Sequence, residues 1–412
     1  MQLKRLFMKT IYLVISLSII FNFNITTFAT EDYVWSINSE SIEVSSTDTE
    51  ELSNDPLNLQ SGGAILIDQT SGQVLYEHNS HEQLRPASVT KVMSILLVME
   101  ALDSGQIRLE DKVPCSEKAS SMGGSQIWLT TSETLTVNEM LKCMCVVSAN
   151  DCTVAMAEFL CGSTDAFVEK MNQRAKELGM NDTCFKNCHG IDEDGHVTSS
   201  YDIALMSREL LNNHPSITKY TTIWMDSIRD GKSELVNTNK LVRNYEGCTG
   251  LKTGSTSLAL YNLSASATRD NLSLIAVIMK APTTALRFSE AKSLLDYGFA
   301  NYSSSELAKQ GEVVKAVAVE KGVQNTIQGL FSENKFCLVP KGQDSKISQE
   351  VNILDTISAP INAGDKIGEI NYYFDGQLLA TVDVVSDRDV KKNGFVNMSG
   401  LLIKKWFSLL RT

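Results

Sequence analysis

The amino-acid sequence predicts an α+β domain followed by a small all-β domain. Strand patterns stand at both ends of residues 61–302, helical periods lie between them, and residues 306–388 carry short apolar runs separated by glycine. Strands that open and close a domain can join one sheet, which buries a face against the helices. The 412 residues are 43% hydrophobic and 21% charged, an ordinary globular composition that provides for sizeable cores.

Two hairpins are predicted at the two ends of the first domain. Residues 64–68 and 74–76 are short apolar runs on either side of a turn that contains glycine. Residues 258–268 and 272–281 are longer apolar runs joined by an Arg-Asp-Asn sequence, which is typical of a tight turn. We expect both hairpins to belong to one sheet.

Between the hairpins, apolar residues recur at helical spacing. The predicted helices are 88–103, 137–161, 164–178 and 201–213. In the second domain, runs such as 313–319 and 364–373 are rich in Val, Ile and Leu and have the length of strands. These runs predict a β-sandwich over residues 306–388.

The N-terminal end of the chain predicts export. Residues 1–29 combine a basic start, an apolar run and a small-residue site, the order of a secretory signal peptide cleaved after Ala29. The alternative is a retained membrane anchor, but the run is shorter than the ~20 residues of a spanning helix. Residues 30–60 hold eight acidic residues and no Lys or Arg, so they predict a disordered spacer.

The C-terminal residues 391–412 contrast with the rest of an acidic chain, whose net charge is −12. They hold five basic residues and no acidic one. At helical spacing, an apolar face with Trp406 and Phe407 opposes a face with Lys404 and Lys405, the pattern of a helix lying in a membrane interface. An amphipathic helix docked on the protein is the alternative. The acidic balance also argues against nucleic acid as a partner.

The nine cysteines and five histidines do not form a metal signature. Nine is an odd number and the spacing is not that of a small disulfide scaffold, so reduced, structural cysteines are predicted. Cys184, Cys188, His189 and His196 lie close in sequence, but Cys-x₃-Cys followed directly by His is poor zinc-finger spacing. The sequence therefore predicts no metal and no cofactor.

Four Ser-x-x-Lys patterns occur, and only their context separates them. They are Ser88/Lys91, Ser216/Lys219, Ser289/Lys292 and Ser332/Lys335. Pro86 precedes the first pair, and proline is well tolerated in the first turn of a helix, so Ser88 is expected near the positive helix end. Lys91 follows on the same helical face, where its amine can approach the hydroxyl. A lysine in a desolvated pocket can lose its proton and act as a base.

Two further motifs follow along the chain. Ser148-x-Asn150 brings a hydroxyl and an amide into or beside the second predicted helix, although Ser-x-Asn also begins at Ser36 and Ser332. A Lys-Thr-Gly run begins at Lys252, occurs once and precedes the second hairpin. It is the most selective of the three motifs.

In this order, Ser-x-x-Lys, Ser-x-Asn and Lys-Thr-Gly resemble the active-site signature of penicillin-recognising serine peptidases and β-lactamases. Residues 64–79, 85–91, 178–187 and 195–198 resemble the low-molecular-mass penicillin-binding D-Ala-D-Ala carboxypeptidases. The resemblance covers most of the first domain and, more weakly, the β domain. It implies a β-lactamase/transpeptidase-like fold, a sheet with a helical cluster, and an enzyme at the outer face of the cytoplasmic membrane or in the cell wall.

The resemblance also implies catalytic roles by position. Ser88 would attack the carbonyl between two D-alanines, with Lys91 as its base. Ser148 would pass a proton to the leaving amine. Asn150 would fix Lys91 and the substrate amide by hydrogen bonds.

Four consecutive residues are implied in substrate binding. Lys252 and Thr253 would hold the terminal carboxylate. Gly254 would leave room for a peptide along the strand edge. The backbone N–H groups of Ser255 and Ser88 would form the oxyanion hole. The partners so implied are peptidoglycan stem peptides as substrates and β-lactam antibiotics as inhibitors.

Two other functions remain as alternatives. A β-lactamase shares the three motifs, but its commonest class needs a carboxylate to activate the deacylating water. The nearest imitations of that carboxylate, Glu209 and Glu177, are expected at solvated positions. A non-catalytic penicillin or wall-peptide sensor is the second alternative, and the presence of both Lys91 and Ser148 argues against it.

Overall fold

The computed structural model describes residues 56–394 and Trp406. The predicted signal peptide, nearly all of the acidic spacer and the tail from residue 395 onward, apart from Trp406, lie outside the described residues. Within the part that is described, no helix is long and apolar enough to cross a membrane.

The first domain contains strands at both of its ends, as predicted. Its strands are β1 (Gly63–Asp68), β2 (Val74–His78), β3 (Lys112–Pro114), β4 (Thr134–Thr136), β5 (Met225–Ile228), β6 (Ser233–Val236), β7 (Cys248–Thr256), β8 (Leu260–Arg269) and β9 (Leu272–Ala281). Five of them form one antiparallel sheet in the order β2-β1-β9-β8-β7. Both predicted hairpins therefore lie in one sheet. Asp270 and Asn271 form the second turn with positive φ, which these residue types tolerate.

The helices of the first domain include the four predicted periods, one of them divided in two, and four helices that were not predicted, of which the last, at Thr284–Asn301, is long. They are α1 (Lys91–Asp103), α2 (Glu117–Ser120), α3 (Val137–Val146), α4 (Asn150–Cys161), α5 (Thr164–Glu177), α6 (Ser200–Asn213), α7 (Thr218–Thr221), α8 (Leu241–Asn244) and α9 (Thr284–Asn301), and short 3₁₀ turns span Ala87–Thr90 and Pro215–Ile217. The prediction of one helix over 137–161 is wrong. The chain breaks between α3 and α4, where Ser148 has a φ of 63°.

The sheet separates two apolar cores. Along β1, Ile65 and Ile67 point to the core that contains α1, α3 and α4, while Ala64 and Leu66 point to the core that contains α9. Successive side chains of a strand alternate between faces, so one strand contributes to both cores. All six residues of β1 are buried. The helical cluster on one face and a single long helix on the other hold the sheet rigidly.

The second domain consists of strands. They are β10 (Tyr302–Ala308), β11 (Val313–Glu320), β12 (Thr326–Phe331), β13 (Lys335–Pro340), β14 (Ile347–Ile353), β15 (Thr356–Ser358), β16 (Lys366–Phe374) and β17 (Gln377–Ser386), with a 3₁₀ turn at Asp344–Lys346. Six strands form a sheet in the order β14-β16-β17-β12-β11-β15, and β10 pairs with β13. The α+β domain followed by a small all-β domain is confirmed.

All nine cysteines lie in the described part of the chain, and none forms a disulfide there. Cys143, Cys145 and Cys152 are fully enclosed in the helical core, where a thiol behaves as a small apolar group. Among residues 56–394, no group of three or more His, Cys, Asp or Glu side chains is arranged to hold a metal ion. Cys188 is buried, and Cys184 is partly buried.

Candidate active site

Ser88 lies in the 3₁₀ turn that leads directly into α1. The residue before it, Ala87, is buried and has a φ of 48°, a conformation that non-glycine residues adopt rarely. The hydroxyl of Thr90 donates to the Ala87 carbonyl at 2.8 Å and contacts His196 Nε2 at 2.8 Å. Thr90 therefore fixes the turn through one bond inside it and one contact to His196. Ser88 lies at the N-terminal end of a buried helix.

Lys91, the first residue of α1, has no exposed surface. Its Nζ lies 3.1 Å from Ser88 Oγ and donates to Asn150 Oδ1 at 2.6 Å and to the His189 carbonyl at 2.7 Å. Burial lowers the pKa of Lys91 well below its usual value, and the nearby charge of Lys252 lowers it further. The amine therefore lies within reach of the Ser88 hydroxyl, and its lowered pKa favours the neutral form that can take a proton.

The break between α3 and α4 contains Ser148 and brings Asn150, two residues later, into contact with Lys91. Asn150 begins α4 and accepts from Lys91, while its Nδ2 donates to the Gly123 carbonyl at 2.7 Å. The Ser148 hydroxyl is buried, and it has no hydrogen-bond partner in the described part of the chain. A buried hydroxyl without a partner is rare, because the lost hydrogen bond is unfavourable. Ser148 Oγ is therefore free to bond a substrate or to relay a proton.

Strand β7, at the edge of the sheet, carries the Lys-Thr-Gly motif. Lys252 is 1% exposed, and its Nζ donates to the Thr253 carbonyl at 2.9 Å. Burial lowers the pKa of Lys252 to about 7. The Thr253 hydroxyl donates to the Thr238 hydroxyl at 2.7 Å. The strand therefore presents a second buried amine and a fixed hydroxyl close to Lys91.

Gly254 packs against the turn that carries Ser88. A Cβ at this position would lie 2.8 Å from the backbone nitrogens of Ser88 and Val89 and 2.9 Å from the Pro86 carbonyl. Real Cβ atoms do not approach backbone so closely, so only glycine allows β7 to reach the serine turn. This close contact explains why position 254 is glycine, and it could not be seen in the sequence. The next residue, Ser255, is exposed on the strand.

Several residues around Lys91 were not found from the sequence as parts of this site. The His189 carbonyl accepts from Lys91, although His189 was considered only as a zinc ligand and rejected. Burial lowers the pKa of His189 to about 3 and that of His196 to about 4, so both rings are neutral. Asp151 is buried beside Asn150 and accepts backbone N–H groups. The His189 carbonyl could not be found from the sequence, because no sequence pattern marks which backbone carbonyl accepts a hydrogen bond from a distant lysine.

The other Ser-x-x-Lys pairs lack this environment. Lys219 is exposed, while Lys292 and Lys335 are partly exposed. Of the four lysines, Lys91 alone is fully buried. Burial, and not the motif, therefore separates the first pair from the rest.

The two acidic candidates for a β-lactamase-like base differ from expectation in one respect. Glu209 is not a solvated position: its side chain is 21% exposed and pairs with Arg174 Nη2 at 2.5 Å. Glu177 also faces Arg174, at 3.4 Å, and is 49% exposed. Arg174 therefore pairs with both carboxylates and with Glu100.

Comparison with known proteins gives two family matches. The sequence family described as D-alanyl-D-alanine carboxypeptidase matches residues 49–283, which is more than half of the chain. The model described as penicillin-binding protein 5, C-terminal domain, matches residues 302–392.

Individual proteins agree with the family matches. D-alanyl-D-alanine carboxypeptidase DacF of Bacillus subtilis (strain 168) is 46% identical over 347 residues, which are 83% of this chain and 89% of that protein. D-alanyl-D-alanine carboxypeptidase DacA of Haemophilus influenzae is 32% identical, over 80% of this chain and 85% of that protein.

Solved structures are similar along both domains. Penicillin binding protein 5 from Haemophilus influenzae has a TM-score of 0.67 and 31% identity, and the match covers 82% of this chain and 99% of that chain. Penicillin-binding protein D2 from Listeria monocytogenes, in its ampicillin-bound form, has a TM-score of 0.55 and 30% identity over 59% of this chain and 99% of that chain. With Ser88, Lys91, Ser148 and Asn150 gathered beside the Lys252 strand, the chain belongs to the D-alanyl-D-alanine carboxypeptidase family of penicillin-binding serine hydrolases.

Proposed function

We propose that this protein removes the terminal D-alanine from peptidoglycan stem peptides through an acyl-enzyme on Ser88. The observation that carries the proposal is the buried Lys91 amine, 3.1 Å from the Ser88 hydroxyl and with a strongly lowered pKa. A neutral lysine is a general base, and a serine becomes a strong nucleophile only when a base removes its proton.

In the acylation step, Ser88 Oγ attacks the carbonyl carbon between the two D-alanines while Lys91 Nζ takes the hydroxyl proton. The developing oxyanion lies at the backbone N–H groups of Ser88 and Ser255. Such fixed donors contribute a large share of acyl-transfer catalysis because they need no reorganisation as charge develops.

Breakdown of the tetrahedral intermediate requires a proton on the leaving amine. Ser148 Oγ, which is buried and without a protein partner, supplies that proton and regains one from Lys91. Asn150 Oδ1 accepts from Lys91 and so holds the amine beside the Ser88 hydroxyl. D-Alanine then leaves, and water attacks the ester carbonyl to regenerate Ser88.

Lys252 and Thr253 hold the terminal carboxylate of the substrate. A carboxylate beside the Lys252 amine raises the pKa of that amine from its value of about 7, so binding favours the charged pair. The Thr253 hydroxyl donates to Thr238 in this structure, so it must rotate to donate its proton to the carboxylate. A β-lactam carries a carboxylate next to a strained amide, so it occupies the same positions and acylates Ser88.

A β-lactamase is the second candidate function. It needs a fast deacylating water, and the carboxylates near the site are engaged elsewhere. Glu209 and Glu177 face Arg174, and Asp151 accepts backbone N–H groups. These contacts support the carboxypeptidase, in which a β-lactam adduct persists. A non-catalytic sensor would not need the arrangement of Lys91 with Ser148.

The test is D-alanine release from a peptide ending in D-Ala-D-Ala, measured beside hydrolysis of a β-lactam by the same preparation. We expect peptide turnover and a long-lived β-lactam adduct on Ser88. Rapid β-lactam turnover without D-alanine release would favour the β-lactamase. Labelling by a β-lactam with neither turnover would favour the sensor.

The division of the chain belongs to the same proposal. Residues 1–29 are a signal peptide, 30–60 a spacer, 61–302 the peptidase domain, 306–388 a β-sandwich and 391–412 a tail that binds the membrane surface. Peptidoglycan lies outside the cytoplasmic membrane, so an enzyme that acts on it must be exported. The Bacillus relative and the family match support this location.

The tail is tested on liposomes. Each basic residue near an anionic surface adds about 1 kcal/mol of attraction, so binding should weaken as salt rises. Deleting 396–412 from the signal-cleaved protein should abolish sedimentation with anionic liposomes and leave D-alanine release intact. Equal sedimentation of the truncated protein would remove the tail as the anchor.

A further inference from the structure

A loop without charged residues runs beside the Ser-x-Asn segment. This 121–132 loop is attached to Asn150 twice. The backbone N–H of Asn150 donates to the Ser125 carbonyl at 2.7 Å, and Asn150 Nδ2 donates to the Gly123 carbonyl at 2.7 Å. The residue that contacts Lys91 therefore also fixes this loop at the site.

Asp151 holds the loop one step further along. Its carboxylate is fully buried and accepts the backbone N–H groups of Ile127 at 3.1 Å and Leu129 at 3.0 Å. Arg229 Nη1 donates to the Ile127 carbonyl at 2.9 Å. The residue between the two bonded N–H groups is Trp128. The bonds to Asp151 therefore fix the backbone on both sides of Trp128.

Trp128 combines exposure with backbone strain. Its side chain is 75% exposed, while Ile127 and Leu129 on either side are buried. Its φ is 53°, an outlier for a bulky residue that costs on the order of 1–3 kcal/mol. The bonds to Asp151 and Arg229 maintain that conformation. A large aromatic ring kept in water by a strained backbone contributes little to the apolar core.

The side chains of the loop itself are uncharged, although Asp151 and Arg229 bond its backbone. Between residues 121 and 132 the loop has no Asp, Glu, Lys or Arg, in a chain that is 21% charged. Ser125 is exposed and Gln126 partly exposed, and neither side chain has a hydrogen bond within residues 56–394. Residues 125–128 thus carry an exposed aromatic ring, a free amide and a free hydroxyl. Such groups together recognise a sugar ring, whose C–H face is apolar and whose hydroxyls lie at the edge.

We infer that Trp128, Ser125 and Gln126 form a saccharide subsite for the glycan to which the stem peptide is attached. The inference rests on the proposed function, because it extends the substrate of the same site. One C–H face of the sugar packs on the indole ring, and Gln126 and Ser125 bond its hydroxyl or acetamido groups. An ammonium group of the stem peptide could also pack on an indole. The loop offers it no carboxylate, so the neutral sugar fits better.

Three substrates separate sugar from peptide: a blocked tripeptide ending in D-Ala-D-Ala, a free pentapeptide, and the disaccharide-pentapeptide. D-Alanine release is measured with the signal-cleaved protein and with Trp128→Ala. We expect KM for the disaccharide-pentapeptide to rise about fivefold, the size of one aromatic contact, with kcat unchanged. The tripeptide and the free pentapeptide should keep their KM. Trp128→Phe should restore most of the loss.

The matched control is Leu378→Ala, which removes an exposed apolar side chain from the β domain (59% exposed) and should change no KM. An equal KM rise on the free pentapeptide would assign Trp128 to the peptide and overturn the saccharide subsite. Unchanged kinetics on all three substrates would overturn it as well.

Failure of the proposed function gives a different result. If the parent protein releases D-alanine from none of the substrates, calorimetric binding of the disaccharide-pentapeptide to Ser88→Ala and to Ser88→Ala/Trp128→Ala still tests the subsite. Weaker binding in the double variant, together with equal binding of the free pentapeptide, supports the subsite without the reaction. Equal binding of the disaccharide-pentapeptide by both variants overturns it.

Discussion

Two lysines of the first domain differ sharply from the ion-paired lysines of the β domain. In the first domain, Lys91 and Lys252 are at most 1% exposed and both have lowered pKa values. In the β domain, Lys315 and Lys366 are 42% and 49% exposed at the side chain and pair with acidic residues at the surface. Hydrogen bonds to Asp383 and Glu369 raise the pKa of Lys366. The same residue type thus has a lowered pKa where it is buried and a raised pKa where it pairs with carboxylates at the surface.

The comparison teaches that a Ser-x-x-Lys pattern acquires chemistry from burial. Ser332 and Lys335 repeat the pattern in the β domain, where Lys335 lies 3.5 Å from Glu333 at the surface. Lys335 is partly exposed, so it lacks the desolvation that surrounds Lys91. Ser88 and Lys91 instead lie between a five-stranded sheet and a helical cluster. Five tests, from the largest expected effect to the smallest, can break or sharpen this contrast.

Removal of the two motif serines should give the largest difference. Ser88→Ala should abolish covalent labelling by penicillin, because the Ser88 hydroxyl is the one that lies 3.1 Å from the buried Lys91 amine. Ser332→Ala, the matched change in the β domain, should label as the parent does. Intact-mass measurement after penicillin treatment decides the point. A persistent adduct on Ser88→Ala would place the nucleophile elsewhere.

The motif lysines should differ nearly as much. Lys91→Met keeps most of the buried volume but removes the amine, so the acylation rate should fall about a thousandfold, the usual size of a general-base contribution. Lys335→Met should leave the rate unchanged. Stopped-flow acylation measures both, and circular dichroism checks that each variant is folded. A normal rate for Lys91→Met would refute its assignment as base.

The pH profile should report the two buried amines. The lowered pKa of Lys91 means that neutral amine accumulates as pH rises through that value, so acylation increases with pH. The pKa of Lys252 is lowered to about 7, so its charge is lost as pH rises through about 7 and carboxylate capture weakens. We expect a bell-shaped kcat/KM for a D-Ala-D-Ala peptide. Lys252→Arg should shift the alkaline limb to higher pH, and an unchanged limb would contradict the role of Lys252.

Two glycines with positive φ test how far packing matters. Gly190 has a φ of 91°, and a Cβ there would lie 1.9 Å from the Ala87 carbonyl, in the serine turn. Gly342, in the β domain, has a φ of 77° and open space around it. Gly342→Ala should cost about 1 kcal/mol of unfolding free energy, from backbone strain alone.

Gly190→Ala should destabilise the protein by more than that and also slow penicillin labelling, because the serine turn must move. Denaturant unfolding and labelling rates measure the two effects. Equal losses of stability in the two variants, with normal labelling, would show that Ala87 tolerates displacement.

The smallest effect is expected for a surface ion pair. Lys366 Nζ lies 2.8 Å from Glu369 and 2.7 Å from Asp383. Exposed pairs contribute little, since water and salt screen them. Lys366→Ala should leave the unfolding midpoint unchanged at high salt and lower it only slightly at low salt. A large loss at high salt would mean that the β domain also relies on its charges.

The sequence alone determined the elements that depend on neighbouring residues. Period-2 and period-3.6 patterns located the hairpins and most helices, because both depend on local backbone geometry. The Arg-Asp-Asn turn between β8 and β9 carried its own conformational signal. The motifs at Ser88, Ser148 and Lys252 were recognisable because their order and context resemble a known family.

Tertiary structure decided what those residues can do. The contacts of Lys91 join it to Asn150 and to the His189 carbonyl, 59 and 98 residues away in sequence. The apolar spacing of residues 137–161 is continuous in the sequence, so periodicity did not predict that the helix breaks at Ser148. A pKa is set by desolvation and by charges brought near in space, and no local pattern reports either. The residues of the site can be recognised in the sequence, but their proton affinities are set by the fold.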